Sequence, residues 1–246
     1  MALQSLAQHF ALGVALSLCF ANITHASDCS SAGNALTDPS FENQTPVASG
    51  GWNAFGGAFS PEYARTGMWS FAVAAYFGVT GSVEQLPAAP GSRWRMTGYG
   101  FTPLQLQGAP AIGVIQVTFF DAFGNDLGTV ETAGSPFPAK TSNPVDWSTP
   151  VGVWTYLDTG AVTAPAGAAF IQAFTLYVDF SGYSQRVFFD DLSLQVLGAN
   201  HGGYVSSVAQ NAVALRRAGS ISQAQEVAMV AAAAQSNVGK RCAGGE

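Results

Sequence analysis

The stretch VFFDDLSLQV at residues 187–196 is the strongest structural signal in this sequence. Its aromatic and branched residues, uninterrupted by Pro or Gly, predict a buried β-strand that ends before Gly198. Asp190 and Asp191 lie next to each other within this apolar run, where an unpaired charge costs free energy. Either a metal ion compensates the charge, or one carboxylate points to solvent because side chains alternate along a strand.

Other predicted strands recur at regular spacing along the chain. A short one is expected within residues 34–42, and longer ones at residues 69–77, 82–86, 93–99, 111–120, 127–131, 151–157 and 168–180. A hairpin turn is expected at residues 121–125. Residues 132–150 contain four prolines and no periodicity, which predicts a long exposed loop. Together these segments indicate an all-β fold, an antiparallel β-sandwich of the jelly-roll type.

The pattern changes near the C-terminus, where apolar residues recur at helical spacing from Tyr204 onward. Ser222 followed by Gln225 is typical of a capping box that opens a second helix. We therefore expect a β-sandwich domain over residues 27–198. Residues 199–246 are expected to form a linker, which extends to residue 203, and a short C-terminal helical hairpin. The hairpin either packs on the sandwich or docks another protein.

Residues 1–26 have the pattern of a signal peptide. Their apolar core, residues 11–20, is too short to span a bilayer with ease, and small residues precede Ser27. We expect a soluble protein secreted to the cell exterior, either periplasmic or extracellular. Cys29 and Cys242 then remain in an oxidising compartment, either as an intramolecular disulfide or as free or intermolecular thiols.

The charge balance limits the possible partners. Charged residues make up only 10% of the chain. Residues 27–198 contain 13 acidic and 5 basic side chains, a difference of −8. This excess of negative charge opposes binding to a nucleic-acid backbone and favours a cation or a neutral ligand.

The sequence contains no recognisable catalytic motif. His201 is the one histidine after residue 26, so the sandwich has no imidazole to activate a serine or to anchor zinc. HExxH, CxxC, P-loop and GxSxG patterns are absent. Asp190 and Asp191 are the only carboxylate pair that stands out, and neighbours on one strand point to opposite faces. We therefore expect a protein that is not an enzyme.

Several short motifs occur in an order that resembles a known family. They are NALTDPSFE at 34–42, GW at 51–52, ARTG at 64–67, QL at 85–86, PG at 90–91, PAG at 165–167 and FFDDLSL at 188–194. This order is similar to that of the galactose-binding-like jelly rolls of carbohydrate-binding modules attached to xylanases and cellulases. The resemblance covers residues 34–196.

The resemblance implies a buried structural Ca²⁺ that ties the N-terminal segment to the last strand. The ligands carried over by position are the carbonyls of Ser40, Arg65 and Met68 and the carboxylates of Glu42 and Asp190. Hard oxygen donors from distant segments suit Ca²⁺ and would explain a carboxylate inside an apolar strand.

The resemblance also implies a glycan site on the concave sheet face or on loops at its edge. Aromatic rings there stack on sugars, and amides bind hydroxyl groups. The candidates are Tyr99, Gln116, Trp147 and Trp52, with Gln116 expected to reach the same face as Tyr99. Ordinary packing is the alternative for the aromatic residues.

We therefore expect a secreted, non-catalytic protein that binds a glycan or a cell-surface polysaccharide through a calcium-stabilised jelly roll. The alternative is an extracellular structural or adhesion protein that uses the sandwich as a scaffold and the helical tail for assembly with a protein partner. A polysaccharide hydrolase or lyase ranks third, because no paired-carboxylate cleft can be located.

Overall fold

The computed structural model describes residues 33–43, 51–75, 78–108, 111–135, 138–183 and 185–240. Within them, two antiparallel sheets pack face to face. The strands are β1 (Asn53–Phe55), β2 (Gly57–Ser60), β3 (Ser70–Ala75), β4 (Gly78–Pro87), β5 (Arg93–Phe101), β6 (Ala111–Phe120), β7 (Asp126–Gly128), β8 (Lys140–Thr141), β9 (Thr155–Thr163), β10 (Phe170–Asp179) and β11 (Gln185–Leu197). The expected all-β sandwich is confirmed.

The described strands divide into a six-stranded and a five-stranded sheet. The six-stranded sheet has the order β1-β4-β10-β6-β7, with β8 also paired to β6. The five-stranded sheet has the order β2-β3-β11-β5-β9. Sequential strands therefore often lie in different sheets, so the loops that join them cross the ends of the sandwich.

The core lies between the two sheets because apolar residues alternate along the central strands. On β10, Ile171 and Tyr177 are fully buried, whereas Phe174 between them is partly exposed on the outer face. Trp94 on β5 is also fully buried. Burial of each such side chain contributes about 1.5–3 kcal/mol, so this alternation fixes which face of each strand points inward.

Strand β11 is interrupted by a bulge at the two aspartates. It pairs with β3 through residues 185–189 and with β5 through residues 188–197, and its register shifts between Asp190 and Ser193. Asp191 adopts a left-handed backbone with φ 47°. The extra residue bends the strand, so that the main-chain amide of Leu192 donates to the carbonyl of Pro39 at 2.8 Å.

Four sequence predictions were wrong in detail. The strand expected at residues 127–131 ends at Gly128, and Val130–Thr132 form a short 3₁₀ helix capped by Thr129. Residues 132–150 are not wholly an exposed loop, since they contain β8 and a buried Val145 that pairs with Gly113 of β6. Residues 151–153 form a turn, and β9 begins only at Thr155. Residues 34–42 form turns rather than a strand, because Phe41 takes a left-handed backbone with φ 59° to bury its ring.

The C-terminal hairpin consists of α1 (His201–Arg217) and α2 (Gln223–Gln235). The predicted linker to residue 203 was wrong, because Asn200 caps α1 and the helix starts at His201. The predicted capping box of Ser222 and Gln225 opens α2. No helix in the described part of the chain is long and apolar enough to cross a membrane.

The hairpin packs on its own sandwich. The Tyr204 hydroxyl donates a 2.8 Å hydrogen bond to the carbonyl of Pro87, and its ring meets Trp94 edge-on at 5.8 Å. The Asn211 side chain donates to the carbonyls of Ala88 and Ala168 at 3.2 and 2.9 Å. Helix α1 therefore donates hydrogen bonds to main-chain carbonyls at the end of β4 and before the start of β10. Of the two alternatives for the hairpin, this is packing on the sandwich.

Candidate functional site

The outer face of the six-stranded sheet carries a row of side chains in register across five strands. The successive Cα partners in this row are Asn53 on β1, Val83 on β4, Phe174 on β10, Gln116 on β6 and Thr141 on β8. Residues in register on one face lie close enough to interact across a sheet. The row therefore places the partly exposed ring of Phe174 beside the amide of Gln116.

Polar groups continue on one side of this row. The Gln172 side chain donates a 2.8 Å hydrogen bond to Oε1 of Gln85, and Thr118 lies in register with Gln172 on β6. The Thr118 hydroxyl donates to the Asp126 carboxylate at 2.6 Å, at the edge of the sheet. These contacts fix the orientation of the amides, which is needed to bind a polar ligand selectively.

Apolar groups occupy the other side of the row, with Phe55, Gly81, Leu176 and Val114 in register. We call the surface formed by Gln85, Gln116, Gln172, Phe174 and their in-register neighbours the Gln116–Phe174 face. None of the residues named in these three rows is charged, and the Asp126 carboxylate that Thr118 binds lies at the edge of the sheet. The face combines an aromatic ring, oriented amides and near-neutral charge.

Tyr99 lies on the opposite side of the molecule. It belongs to β5 in the five-stranded sheet and points outward between the buried Gly98 and Gly100. Gln116 points outward from the other sheet, so the expectation that the two residues share a face was wrong. The guanidinium of Arg65 lies 3.6 Å from the centre of the Tyr99 ring, and Tyr156 meets that ring edge-on at 5.4 Å. Arg65 thus covers one face of the Tyr99 ring.

The two candidate tryptophans differ sharply in exposure. Trp52 is only 4% exposed, packs 5.5 Å from the ring of Phe41, and donates from Nε1 to the carbonyl of Asp38 at 3.1 Å. It is a core residue, and its proposed role as a sugar platform is not compatible with this burial. Trp147 is 68% exposed in the loop between β8 and β9, where its carbonyl accepts a hydrogen bond from the Gln105 side chain.

The segments expected to bind calcium meet at the bulge of β11. Asp190 is fully buried, and its Oδ2 accepts hydrogen bonds from the main-chain amides of Arg65 and Thr66 at 2.7 and 3.3 Å. Its Oδ1 accepts from the amide of Asp191 at 2.7 Å. Asp191 instead pairs with the Arg65 guanidinium and accepts from the Thr66 hydroxyl at 2.6 Å. Both carboxylates therefore bind the loop at residues 64–68, Asp190 through main-chain amides and Asp191 through side chains.

Glu42 reaches the same loop from the N-terminal segment. Its carboxylate accepts hydrogen bonds from the main-chain amides of Met68 at 3.0 Å and Trp69 at 2.9 Å. Gly67 has φ 62°, and a Cβ atom there would lie 2.4 Å from the Glu42 carboxylate. The left-handed backbone favours glycine at this position, and any larger residue would also force the Glu42 carboxylate to move away from the loop.

The buried carboxylate of Asp190 is electrostatically costly. Burial, together with the nearby charge of Asp191, raises the pKa of Asp190 to about 7, although the hydrogen bonds from main-chain amides lower it. A bound cation would favour the charged form. Among the described residues, no cluster of three or more His, Cys, Asp or Glu side chains could hold a metal. Main-chain carbonyls such as those of Ser40, Arg65 and Met68 would therefore have to complete a site, a donor set that Ca²⁺ accepts.

Similarity to known proteins is found among solved structures. No protein-family model and no curated protein sequence matches the chain. A solved structure of arabinose-bound MgGH51 α-L-arabinofuranosidase is similar at a TM-score of 0.51 and 14% identity, over 78% of this chain and 31% of that chain.

Two further structures align at lower scores. The CBM22-1 xylan-binding domain from Paenibacillus barcinonensis Xyn10C aligns at a TM-score of 0.44 and 17% identity, over 65% of this chain and 92% of that chain. The enzymatically active domain of bacteriophage CBA120 tailspike protein 4 aligns at 0.47 and 11% identity, over 67% of this chain, which spans only 22% of the tailspike domain.

The fold is an antiparallel β-sandwich of the jelly-roll type. The fold class expected from the sequence is therefore confirmed. The jelly roll also reveals site residues that the sequence did not single out, namely Phe174, Gln172 and Gln85. An alternation of polar and apolar residues is visible in segment 170–179. Which strands lie beside it is decided only by the fold.

Two sequence predictions fall outside the described residues. They are the signal peptide at residues 1–26 and the disulfide between Cys29 and Cys242.

Proposed function

We propose that this protein binds a glycan, without catalysis, on the Gln116–Phe174 face of its jelly roll. The observation that carries the proposal is the in-register row in which Phe174 lies between Val83 and Gln116 at the centre of the six-stranded sheet. A partly exposed aromatic ring beside side-chain amides offers the stacking surface and the hydrogen-bonding groups that bind a sugar.

The chemistry of the face fits a neutral polysaccharide. The C–H face of a pyranose ring can stack on Phe174, while its hydroxyl groups both donate to and accept from the amides of Gln116 and Gln172. Because the rows run across five described strands, they offer room for several consecutive sugar units. The acidic surface of the protein gives no attraction for anionic polymers.

A structural Ca²⁺ at the β11 bulge is part of this proposal. Glu42 and Asp190 would supply carboxylate oxygens, and Ser40, Arg65 and Met68 would supply carbonyl oxygens. The convergence of these segments and the raised pKa of the buried Asp190 support this assignment. The ion would neutralise Asp190 and fasten the loop at residues 64–68.

Export is also part of the proposal and rests on residues 1–26. A polysaccharide-binding protein acts where its ligand is, at the cell exterior. The alternative role as an assembly scaffold loses its main support, because the helical hairpin is committed to its own sandwich through Tyr204 and Asn211.

The test is a glycan and polysaccharide array probed with the protein in calcium-containing buffer. We expect selective signals that fall about tenfold for Phe174→Ala, because loss of a stacking ring costs about 1 kcal/mol or more. Phe123→Ala is the matched control, since Phe123 is exposed on the hairpin tip after β6. Tyr99→Ala and Trp147→Ala test the two other aromatic candidates. A blank array, or binding that is unchanged in Phe174→Ala, would contradict the proposal.

A further inference from the structure

Two loops at one end of the sandwich carry an exposed apolar cluster. Leu104 lies in the loop after β5, and Trp147, Val151 and Val153 lie in the loop before β9. The exposed fractions of these residues are 75%, 68%, 43% and 52% in the same order. Single exposed apolar side chains are common, but a contiguous group of large ones marks an interaction site. We call these four residues the apolar tip.

Hydrogen bonds join the two loops of the apolar tip. The main-chain amide of Gly152 donates to the carbonyl of Thr102 at 3.0 Å, and the Gln105 side chain donates to the carbonyl of Trp147. Thr102 and Gln105 lie on either side of Leu104 in the sequence. Leu104 is therefore held beside the loop that carries Trp147.

Further contacts fix the second loop at both ends. The Thr149 hydroxyl accepts from the main-chain amide of Asp146 at 2.9 Å, and the Thr149 amide donates to the Asp146 carbonyl at 3.1 Å. These bonds close the turn that carries Trp147. At the other end of the loop, the Trp154 ring packs 5.1 Å from the ring of the buried Phe101. A loop that is already ordered loses little conformational entropy when its exposed side chains are bound.

The apolar tip is almost free of charge. Asp146 is the one charged residue within positions 102–106 and 145–154. Its carboxylate accepts from the amide and the hydroxyl of Ser148 at 2.8 and 2.7 Å. Neither segment contains Lys or Arg, and the whole chain has a net charge of −6, which repels an anionic surface. The charge pattern therefore favours a partner whose surface has no net charge.

The size of the apolar tip suits a shallow contact rather than a stable protein complex. A buried aromatic side chain contributes about 150–250 Å², so four side chains exposed to this extent offer roughly 400–500 Å². A specific protein interface buries about 800 Å² on each partner. A lipid surface needs neither this area nor a complementary shape, and tryptophan is enriched where membranes meet water.

We propose that the apolar tip binds a zwitterionic lipid bilayer by inserting Trp147 and Leu104 into its headgroup region. Insertion removes these side chains from water, which is the hydrophobic driving force for binding at a membrane surface. The attachment is weak and reversible, since even one acyl chain gives only marginal binding.

The apolar tip is separate from the Gln116–Phe174 face. Val145, two residues before Trp147, pairs with Gly113 near the start of β6. The tip therefore lies at the end of the six-stranded sheet, whereas the Gln116–Phe174 face covers its outer surface. The lipid proposal does not rest on glycan binding, and the protein could hold a polysaccharide while it is attached to a membrane.

The test is sedimentation of the full chain with vesicles of phosphatidylcholine, alone or mixed with anionic phosphatidylglycerol. We expect binding to phosphatidylcholine that the anionic lipid does not strengthen. Trp147→Ala and Leu104→Ala should each weaken it by about 3–10-fold, because each removes inserted apolar surface. Phe123→Ala is the matched control and should leave binding unchanged, since Phe123 is 72% exposed beyond the opposite end of β6.

A site-resolved measurement separates the apolar tip from the apolar segment at residues 11–20. Phosphatidylcholine bicelles that contain a spin-labelled lipid are added to the ¹⁵N-labelled full chain, and signal loss is followed by two-dimensional NMR. The signals of residues 104–105 and 147–153 should broaden, whereas those of residues 122–124 should not.

Each outcome supports or overturns the lipid proposal. Broadening at the tip, together with weaker vesicle binding in Trp147→Ala, supports it. Absence of vesicle binding overturns it, as does binding that Trp147→Ala leaves unchanged or broadening confined to residues outside the tip. Self-association that Trp147→Ala abolishes, without vesicle binding, would assign the tip to a second copy of the chain. A blank polysaccharide array together with vesicle binding overturns the sheet-face proposal alone.

Discussion

The main-chain amide of Arg65 donates a 2.7 Å hydrogen bond to the buried carboxylate of Asp190, 125 residues further along the chain. The side chain of the same arginine pairs with Asp191 and stacks on Tyr99. The bulge in β11 makes both contacts possible, because it lets one aspartate point into the structure while the next remains accessible. The loop after β2 is therefore attached to the last strand by two carboxylates with different roles.

Replacement of Asp190 tests the calcium assignment. Asp190→Ala removes the acceptor of the main-chain amides of Arg65 and Thr66, and loss of each such hydrogen bond costs about 1 kcal/mol. It also removes a carboxylate from the proposed ion site. We expect a lower melting temperature and, unlike in the unchanged protein, no further decrease when EDTA is added. Thermal melts in calcium and in EDTA measure both effects.

Asp158→Ala is the control for this experiment. Asp158 forms a partly exposed ion pair with Arg95, which contributes about 0–1 kcal/mol, and it also accepts from the main-chain amide of Gly160 at 2.7 Å. This variant should lose some stability but retain its full response to EDTA. If EDTA lowers the melting temperature of the unchanged protein and of Asp190→Ala by the same amount, the calcium assignment is contradicted.

The sandwich was predictable from sequence because its strands alternate strictly and turn residues separate them. The second helix was equally predictable, since the side chain of Ser222 and that of Gln225 cap it as expected. The bulge was not, because Phe188 beside Phe189 is also apolar and hides the shift in alternation between the inward-facing Phe189 and Leu192. The turns at residues 34–42 were missed because a left-handed Phe41 is rare and depends on the space available to its ring.

Glu84 should make the free energy of unfolding depend on pH. It is buried on β4, where it accepts from the amide and the hydroxyl of Thr37 at 3.0 and 2.7 Å. Burial raises the pKa of Glu84 from 4.5 to about 7, and the charge of Asp38 contributes. A folded-state pKa above the unfolded value stabilises the protein fully below pH 4.5, and that contribution is lost as the pH rises towards 7. The loss is at most about 3 kcal/mol.

Glu84→Gln isolates this effect. Glutamine keeps an oxygen that can accept from Thr37 but does not ionise. Urea unfolding at pH 4 and pH 8 should therefore show a smaller difference in free energy of unfolding for Glu84→Gln than for the unchanged protein. If the two proteins lose the same stability between these pH values, Glu84 does not carry the dependence.

Docking of the helical hairpin on the sandwich predicts that the two unfold together. Tyr204→Ala removes a buried ring that contacts Trp94 and a hydrogen bond to Pro87, a loss of about 3–5 kcal/mol. The expected result is a single denaturation transition at lower urea concentration. Val227→Ala, at an exposed position on α2, should change stability by less than about 0.5 kcal/mol. A separate early transition, lost in Tyr204→Ala, would show instead that the hairpin unfolds on its own.

The candidate sites were less predictable than the fold because they depend on which strands are neighbours. Gln116 and Tyr99 both lie on the polar side of an alternating strand, and the sequence does not say that these sides face in opposite directions. Nothing in the sequence distinguishes Phe174 from a core residue. In the structure Ile171 and Tyr177 lie in the core between the sheets, whereas the Phe174 ring lies on the outer face of its sheet.

The pairing of the described chain ends makes the predicted disulfide testable. Gly33 and Val238 form a parallel β-bridge, and Cys29 and Cys242 each lie four residues beyond them. Four residues span at most about 14 Å, so a bond with Cα atoms about 4.4–6.8 Å apart is within reach. We expect both cysteines to resist alkylation until a reductant is added, as measured by intact mass. Reduction should then lower the free energy of unfolding by roughly 5 kcal/mol in the entropic model of loop closure. Cys29→Ser should have the same free energy of unfolding as the reduced protein, and adding Cys242→Ser should not change it further. Alkylation of both thiols without reductant would refute the bond.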